Sequence, residues 1–196
     1  MNKIQKAIKF AVKTHEVYQK QTRKGKNVSY ITHPLTVGLF LSRLNSNDDL
    51  VCAGILHDTI EDSIPERKVS FEMIEERFGK NVADLVSSVS EKNKELSWTE
   101  RKAKSIQGIK DFSKDSLLLK SADVLSNVSE ILDDYSKEGD GMFERFNAPE
   151  PKKQNVINNY INVMNVIVIC WSDNPLKDEL KSLIVKLEGI KKQLKL

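Results

Sequence analysis

Apolar residues recur at three- and four-residue intervals along nearly the whole chain, and no segment alternates apolar with polar strictly enough for a half-buried strand. That periodicity favours helices throughout, with a buried strand at 163–170 as the alternative that its β-branched residues leave open. Ile4, Ala7, Ile8, Ala11, Val12 and His15 make the first stripe, which ends before the basic, glycine-containing segment 21–27. Pro34 fits the first turn of a second helix that runs to Leu41. Asp48 or Asp49 can cap a third, which carries Val51, Cys52, Ile55, Leu56 and Thr59 until Ile64-Pro65 closes it. Ser70 opens a fourth and Gly79 stops it, and residues 82–89, 99–112 and 116–132 read as three more. Gly139 and Gly141 mark a loop. Beyond Pro149 and Pro151, two helices are expected, at about 154–171 and from Leu180 to Leu194, with Pro175 between them. The expectation is an all-α bundle over residues 1–147, with a helical C-terminal extension over 148–196 packing on the same domain.

A chain of 196 residues can bury roughly 70% of its extended surface, so stability needs neither a disulfide nor a structural metal. A metal, if bound, must therefore serve function. Three histidines (His15, His33, His57) and two cysteines (Cys52, Cys170) exclude a cysteine-rich zinc module. Carboxylates have to complete any larger site. Thirty-one basic residues against 28 acidic ones leave +3, too small a balance to imply a nucleic-acid partner. The longest strongly apolar stretch, 163–171, is broken by Asn165 and falls far short of the ~20 residues of a membrane span. With no signal-peptide pattern at the start, a cytoplasmic protein with reduced thiols is expected, with no membrane partner. The apolar stripe of the last helix is open to internal packing or to pairing as a homo-oligomer. Local charge says more than the total: Lys20, Arg23, Lys24 and Lys26 form a basic run with no acid between Gln19 and Ser29, a face for an anionic ligand.

The strongest chemical feature is His57-Asp58-Thr59-Ile60-Glu61-Asp62 at the end of an apolar helix. On a helix His57 and Glu61 stack, Asp58 and Asp62 repeat that relation about 100° around, and the group suits a divalent cation. The plain alternative is a helix C-terminus with solvated acids and a histidine near the negative end of the dipole. His33, at the start of a helix beside Pro34, is a second imidazole held on a rigid element, with a satisfied core or cap histidine as the plain alternative. Asp123 interrupts an apolar helix, where an uncompensated charge is costly; either a cation or Lys120 can compensate it. His33, His57, Asp58 and Asp123 make a two-nitrogen, two-oxygen set suited to manganese, iron or zinc. Water activated there, with Glu61 and Asp62 to orient it or to protonate a leaving oxygen, is hydrolytic machinery. The basic run Arg23-Lys24-Lys26 points that chemistry at phosphorus–oxygen bonds.

These elements together resemble the HD superfamily of metal-dependent phosphohydrolases, most closely the hydrolase domain of RelA/SpoT-type alarmone enzymes and their small stand-alone relatives. The matching elements are Phe10-Ala11 through His15, Arg23-Lys24-Gly25, Tyr30-Ile31-Thr32-His33-Pro34-Leu35, Ala53-Gly54-Ile55-Leu56-His57-Asp58-Thr59-Ile60-Glu61-Asp62, Ile74 through Gly79 with Val82-Ala83, and Lys120-Ser121-Ala122-Asp123-Val124-Leu125-Ser126-Asn127. A lone His-Asp pair carries no weight, whereas the ordered set is specific. The resemblance implies an HD-domain helical bundle in which His33, His57, Asp58 and Asp123 bind manganese. It further implies that Glu61 and Asp62 assist attack by water on the 3′-diphosphate of guanosine tetra- or pentaphosphate, releasing pyrophosphate and GDP or GTP. Arg23 would lie beside the guanine, Lys24 near phosphate and Asn127 near the ribose.

Two departures bear on substrate. The family's Ala-Asp-Arg-Leu-His-Asn is here Ala122-Asp123-Val124-Leu125-Ser126-Asn127, and its Gly-Val-Thr-Lys is Ser88-Val89-Ser90-Glu91. The metal set survives both. Arg101, Lys102 and Arg145, in stretches similar to a divergent branch of stand-alone HD proteins, are candidates to replace the lost cationic contacts, with solvated helix positions as the alternative. Other readings of the same site are hydrolysis of another nucleotide or phosphomonoester, such as the 2′-phosphate of NADPH, and nucleotide binding without turnover. The length implies a hydrolase without the synthetase of the longer alarmone enzymes.

Overall fold

The computed structural model of the chain describes residues 1–91 and 95–192, so Leu194 of the expected last stripe lies outside them. Among the described residues helices dominate, and the one β pairing is an isolated antiparallel bridge between Thr22 and Ser29. The chain forms two compact units, Met1–Ser90 with Leu118–Asp123, and Glu91–Leu117 with Val124–Leu196.

In the first unit, α1 (Lys3–Val12) begins at a capping box, in which the Asn2 side chain accepts from the Gln5 amide and the Gln5 side chain accepts from that of Asn2. The helix widens into a π turn over Lys13–Tyr18 that carries the buried His15. α2 (Thr32–Arg43) opens on His33-Pro34, where a missing proline N–H costs nothing. α3 (Asp48–Leu56) is capped by Asn47, whose side chain accepts from the Leu50 amide. Asp48 and Asp49, the expected caps, instead occupy the first turn, where their charge meets the positive end of the dipole.

The same helix stops at Leu56 and does not run on through Thr59. His57 Nδ1 bonds the Gly54 carbonyl at 2.8 Å and Thr59 Oγ1 donates to that of Leu56 at 2.7 Å, so side chains satisfy carbonyls that a continuing helix would use. The chain turns at His57-Asp58 and resumes as the single turn α4 (Thr59–Asp62). α5 (Phe71–Phe78), capped by Ser70, ends at Gly79 with φ +87°, a conformation that favours glycine, and α6 (Lys80–Val89) follows directly.

α2 and α3 pack side by side, and two glycines let them approach. A Cβ on Gly38 would sit 2.6 Å from Ile55 Cγ1, and one on Gly54 would sit 2.6 Å from Leu41 Cδ1. Val37, Leu41, Cys52, Ala53 and Leu56 fill that contact with no exposure, and Ala7 and Ala11 of α1 join the same core.

In the second unit, α7 (Trp98–Gly108) starts at a Ser97–Glu100 capping box. α8 (Lys114–Glu138) extends past the expected end near Leu132, because the stop is Gly139 at φ +60°. The expected loop at Gly139 and Gly141 is a 3-10 helix, Gly139–Arg145, that buries Met142 and Phe143. α9 (Lys152–Cys170) and α10 (Lys177–Lys192) pack on each other through Ile157, Met164, Ile167, Leu180 and Leu187. Among the described residues no helix is long and apolar enough to cross a membrane.

Candidate functional site

Because α2 starts where its partner α3 ends, their close packing carries His33 and His57 to the same place. The two Nε2 atoms stand 3.2 Å apart, both rings being 3% exposed, with ring planes at 72°. His57 Nδ1 is committed to the Gly54 carbonyl, which turns Nε2 inward as the free donor atom. Asp58 Oδ2 lies 3.1 Å from His57 Nε2 and 3.7 Å from His33 Nε2. Asp123 Oδ1, from the part of α8 in this unit, lies 3.3 Å from His33 Nε2 and 3.8 Å from His57 Nε2.

His33, His57 and Asp58 thus come together, and Asp123 Oδ1 stands beside both imidazoles. Donors bound at about 2.1 Å to one ion stand about 3.0 Å apart at right angles and about 3.4 Å apart in a tetrahedron. The separations of 3.1 to 3.8 Å about the two imidazoles are of that order, and the donor atoms of His33, His57 and Asp58 all lie within 4.8 Å of one another, a set that could hold a divalent ion. Electrostatics agree. Burial presses the His57 imidazole toward neutrality, but the Asp58 and Asp123 carboxylates outweigh it and hold its pKa up at about 9. Burial likewise raises both carboxylates; the imidazoles beside Asp58, and Lys120 with the imidazoles beside Asp123, outweigh it and hold them well below the usual range. The pocket is built to favour positive charge at its centre. Lys120 donates to Asp123 Oδ2 at 2.8 Å and Oδ1 faces the histidines, so the ion-pair reading and the metal reading of Asp123 use different oxygens.

A second ring of contacts orients these groups. Tyr30 donates its hydroxyl to Asp58 Oδ2 at 2.5 Å, and burial together with Asp58 and Asp62 holds the phenol pKa well above its ordinary value, so it remains a donor. The Arg23 guanidinium lies 5.3 Å from the Tyr30 ring centre, which ties one predicted substrate contact to the site. Lys24 follows in a tight turn that Gly25 makes at φ +69°. Backbone bonds from Arg23 to Val28 and from Tyr30 to Gln21 pin that loop at its base. Gln21 Nε2 donates to Asp62 Oδ2 at 2.9 Å, and its Oε1 faces His15 Nδ1 at 3.0 Å. A carboxylate only accepts, so the Gln21 amide nitrogen must face Asp62, and His15 must donate through Nδ1. Glu61 shares the α4 turn with Asp62.

Sequence reasoning named neither Gln21 nor His15 as part of this site, and saw Tyr30 only as part of a matching string. Nothing in local spacing links residues 15, 21 and 62. The other predicted contacts are placed differently. Asn127 follows Asp123 by one turn on α8. Arg101 donates to Glu91 Oε1 at 2.8 Å and Lys102 pairs with its other oxygen, so the acid that replaces the family's lysine meets both candidate cations. Arg145 bonds Asp134 at 3.1 Å and both oxygens of Glu138 at 2.7 Å.

Residues 7–145 match the HD domain family. This chain belongs to that family. A Xenopus tropicalis member named guanosine-3′,5′-bis(diphosphate) 3′-pyrophosphohydrolase MESH1 is 33% identical over 130 residues, which cover 65% of this chain and 69% of the relative. An Aquifex aeolicus (strain VF5) protein named guanosine-3′,5′-bis(diphosphate) 3′-pyrophosphohydrolase is 39% identical over 87 residues, 44% of this HD chain, which spans only 11% of the relative's length. Among solved structures, a protein of Listeria monocytogenes EGD-e superposes with a TM-score of 0.66 at 31% identity, covering 80% of this chain and 99% of its own. A metazoan ortholog of SpoT, titled as hydrolysing ppGpp, superposes with a TM-score of 0.75 over 99% of this chain and 98% of its own, and at 22% identity it shares the fold. The all-α expectation and the HD resemblance hold.

Proposed function

We propose that this chain is a manganese-dependent guanosine-3′,5′-bis(diphosphate) 3′-pyrophosphohydrolase, with His33, His57, Asp58 and Asp123 as the metal ligands. The observation that carries this reading is the meeting of His33, His57 and Asp58, with Asp123 beside both imidazoles and the Glu61–Asp62 pair one helical turn beyond Asp58. A divalent ion bound there supplies Lewis acidity toward phosphate oxygens and eases deprotonation of water. Glu61 and Asp62 take the proton from the attacking water and return one to the departing 3′-oxygen. Hydroxyl is thereby added to phosphorus and hydrogen to the ribose oxygen, giving pyrophosphate and GDP or GTP. Gln21, itself held by His15, fixes one Asp62 oxygen and so orients the carboxylate for that transfer. Arg23 takes the guanine, Lys24 a phosphate and Asn127 the ribose. The names of the Xenopus and Aquifex relatives support the substrate. The reach of the family match to residue 145 supports 1–147 as the HD portion, with 148–196 as an extension. A cytoplasmic place is part of the same proposal, as suits a nucleotide substrate.

One observation favours a second reading, in which the same centre acts on another nucleotide or phosphomonoester such as the 2′-phosphate of NADPH: Val124 and Ser126 stand where the family carries arginine and histidine. Purified chain reconstituted with manganese is to be assayed against guanosine 3′-diphosphates, NADPH and deoxynucleotides. Pyrophosphate with GDP or GTP is the expected product; inorganic phosphate alone overturns the leading reading, and binding without turnover makes the chain a regulator.

A further inference from the structure

A cleft of about 450 Å³ opens in the first unit, where Lys6, Lys9, Lys13 and Arg77 surround Phe10 and Phe78. Its size falls in the range of small-molecule sites. Four cations line it and no carboxylate does. α1 contains no acid, and its Lys6 and Lys9, with Lys13 of the π turn that follows, stand at i, i+3 and i+7 and are all exposed. Among the described residues none of these four cations has a carboxylate partner within ion-pair distance, although Lys3, at the start of α1, has Asp49 and Lys80 has Asp84. Like charges so placed repel one another, and a bound polyanion relieves that repulsion.

The apolar floor narrows the class of ligand. Phe10 and Phe78 meet edge to face at 5.7 Å, and the Arg77 guanidinium lies over the Phe10 ring at 5.3 Å from its centre. A guanidinium beside an aromatic ring offers a planar cation for stacking against a base and an N–H fork for phosphate. Phe78 is only 4% exposed and Phe10 is half-buried, so the floor is recessed at Phe78 and reached through Phe10. An interfacial membrane anchor needs apolar groups that protrude, whereas a recessed floor under a cationic rim suits a small ligand with a flat body and several negative charges.

We propose that this cleft binds a nucleoside polyphosphate, its base against Phe10 and Arg77 and its phosphates against Lys6, Lys9 and Lys13. The site is separate from the metal ligands, and it stands whether or not the chain hydrolyses guanosine tetraphosphate. Calorimetric titration of the full-length Asp58→Ala chain in EDTA, with ATP, inorganic tripolyphosphate and adenosine as separate probes, tests it. ATP is expected to bind more tightly than tripolyphosphate or adenosine. Lys6→Glu and Lys13→Glu should each weaken ATP binding about tenfold without moving the melting temperature, and Phe10→Leu should weaken ATP but not tripolyphosphate. In the parent background, the two lysine variants should keep the parent rate of turnover. Tripolyphosphate binding as tightly as ATP, ATP binding that ignores both lysine variants, or retention on phosphatidylserine vesicles without ATP binding overturns the proposal.

Discussion

Replacing Gly38 with alanine tests whether close packing of α2 on α3 sets the ligand spacing. The added Cβ would stand 2.6 Å from Ile55 Cγ1 and 3.2 Å from its Cδ1. Cγ1 sits on the stiff first branch of a side chain that is 3% exposed, so it cannot swing away. Carbon contacts relax at about 3.6 Å, which asks the helices to part by about 1 Å. Alanine gains about 1 kcal/mol of helix propensity over glycine, and overpacking costs about 1–3 kcal/mol, so net stability falls by at most about 2 kcal/mol. The site is far less tolerant. His33 and His57 ride on these two helices with Nε2 atoms 3.2 Å apart, and functional geometry tolerates about 0.5 Å. Manganese affinity, measured calorimetrically, should fall about 10- to 100-fold while thermal unfolding changes little. Gly38→Ala with Ile55→Ala should recover much of that affinity, since the pair removes the clash. Undiminished manganese binding in Gly38→Ala, together with a gain of stability, would refute this account of the spacing.

Gln21→Leu removes the donor that holds Asp62, and loss of a hydrogen bond to a charged group, about 2 kcal/mol, should cut kcat about 30-fold with KM little changed; an unaltered kcat sinks the positioning role. Arg145→Ala strips Asp134, which is 6% exposed, of a buried partner. Denaturant unfolding should show a loss of about 3 kcal/mol, and a raised KM at parental stability would instead make Arg145 a substrate contact. Cys52 is fully buried, which pushes its thiol up from 9.0 to about 11, whereas Cys170 is exposed. A native thiol titration at pH 8 should therefore count one reactive cysteine per chain and a denatured one two. Because the folded state holds that proton more tightly than the unfolded state does, the contribution is complete below pH 9 and is lost between pH 9 and about 11; equal native reactivity of both thiols would contradict the burial.

The sequence by itself determined the helical class and the order of the helices, and it singled out His33, His57, Asp58 and Asp123 as candidate ligands. Apolar periodicity, the cap at Ser70, the stop at Gly79 and one charge set in an apolar helix are local signals; that the two imidazoles meet each other and Asp123 was decided by packing. The break after Leu56 was not legible, because it depends on where the His57 and Thr59 side chains send their hydrogen bonds once α3 is packed. Asn47 caps in place of Asp48 or Asp49 for a similar reason, since all three are competent and only the chain's entry angle chooses among them. Tertiary structure alone decided the rest of the site. It set Gly38 and Gly54 at the helix crossing, put Tyr30 on Asp58, linked His15 through Gln21 to Asp62, and gave Arg101 and Lys102 to Glu91. Periodicity records which face of a helix is apolar; partners far apart in sequence are chosen by packing distances that no local pattern contains.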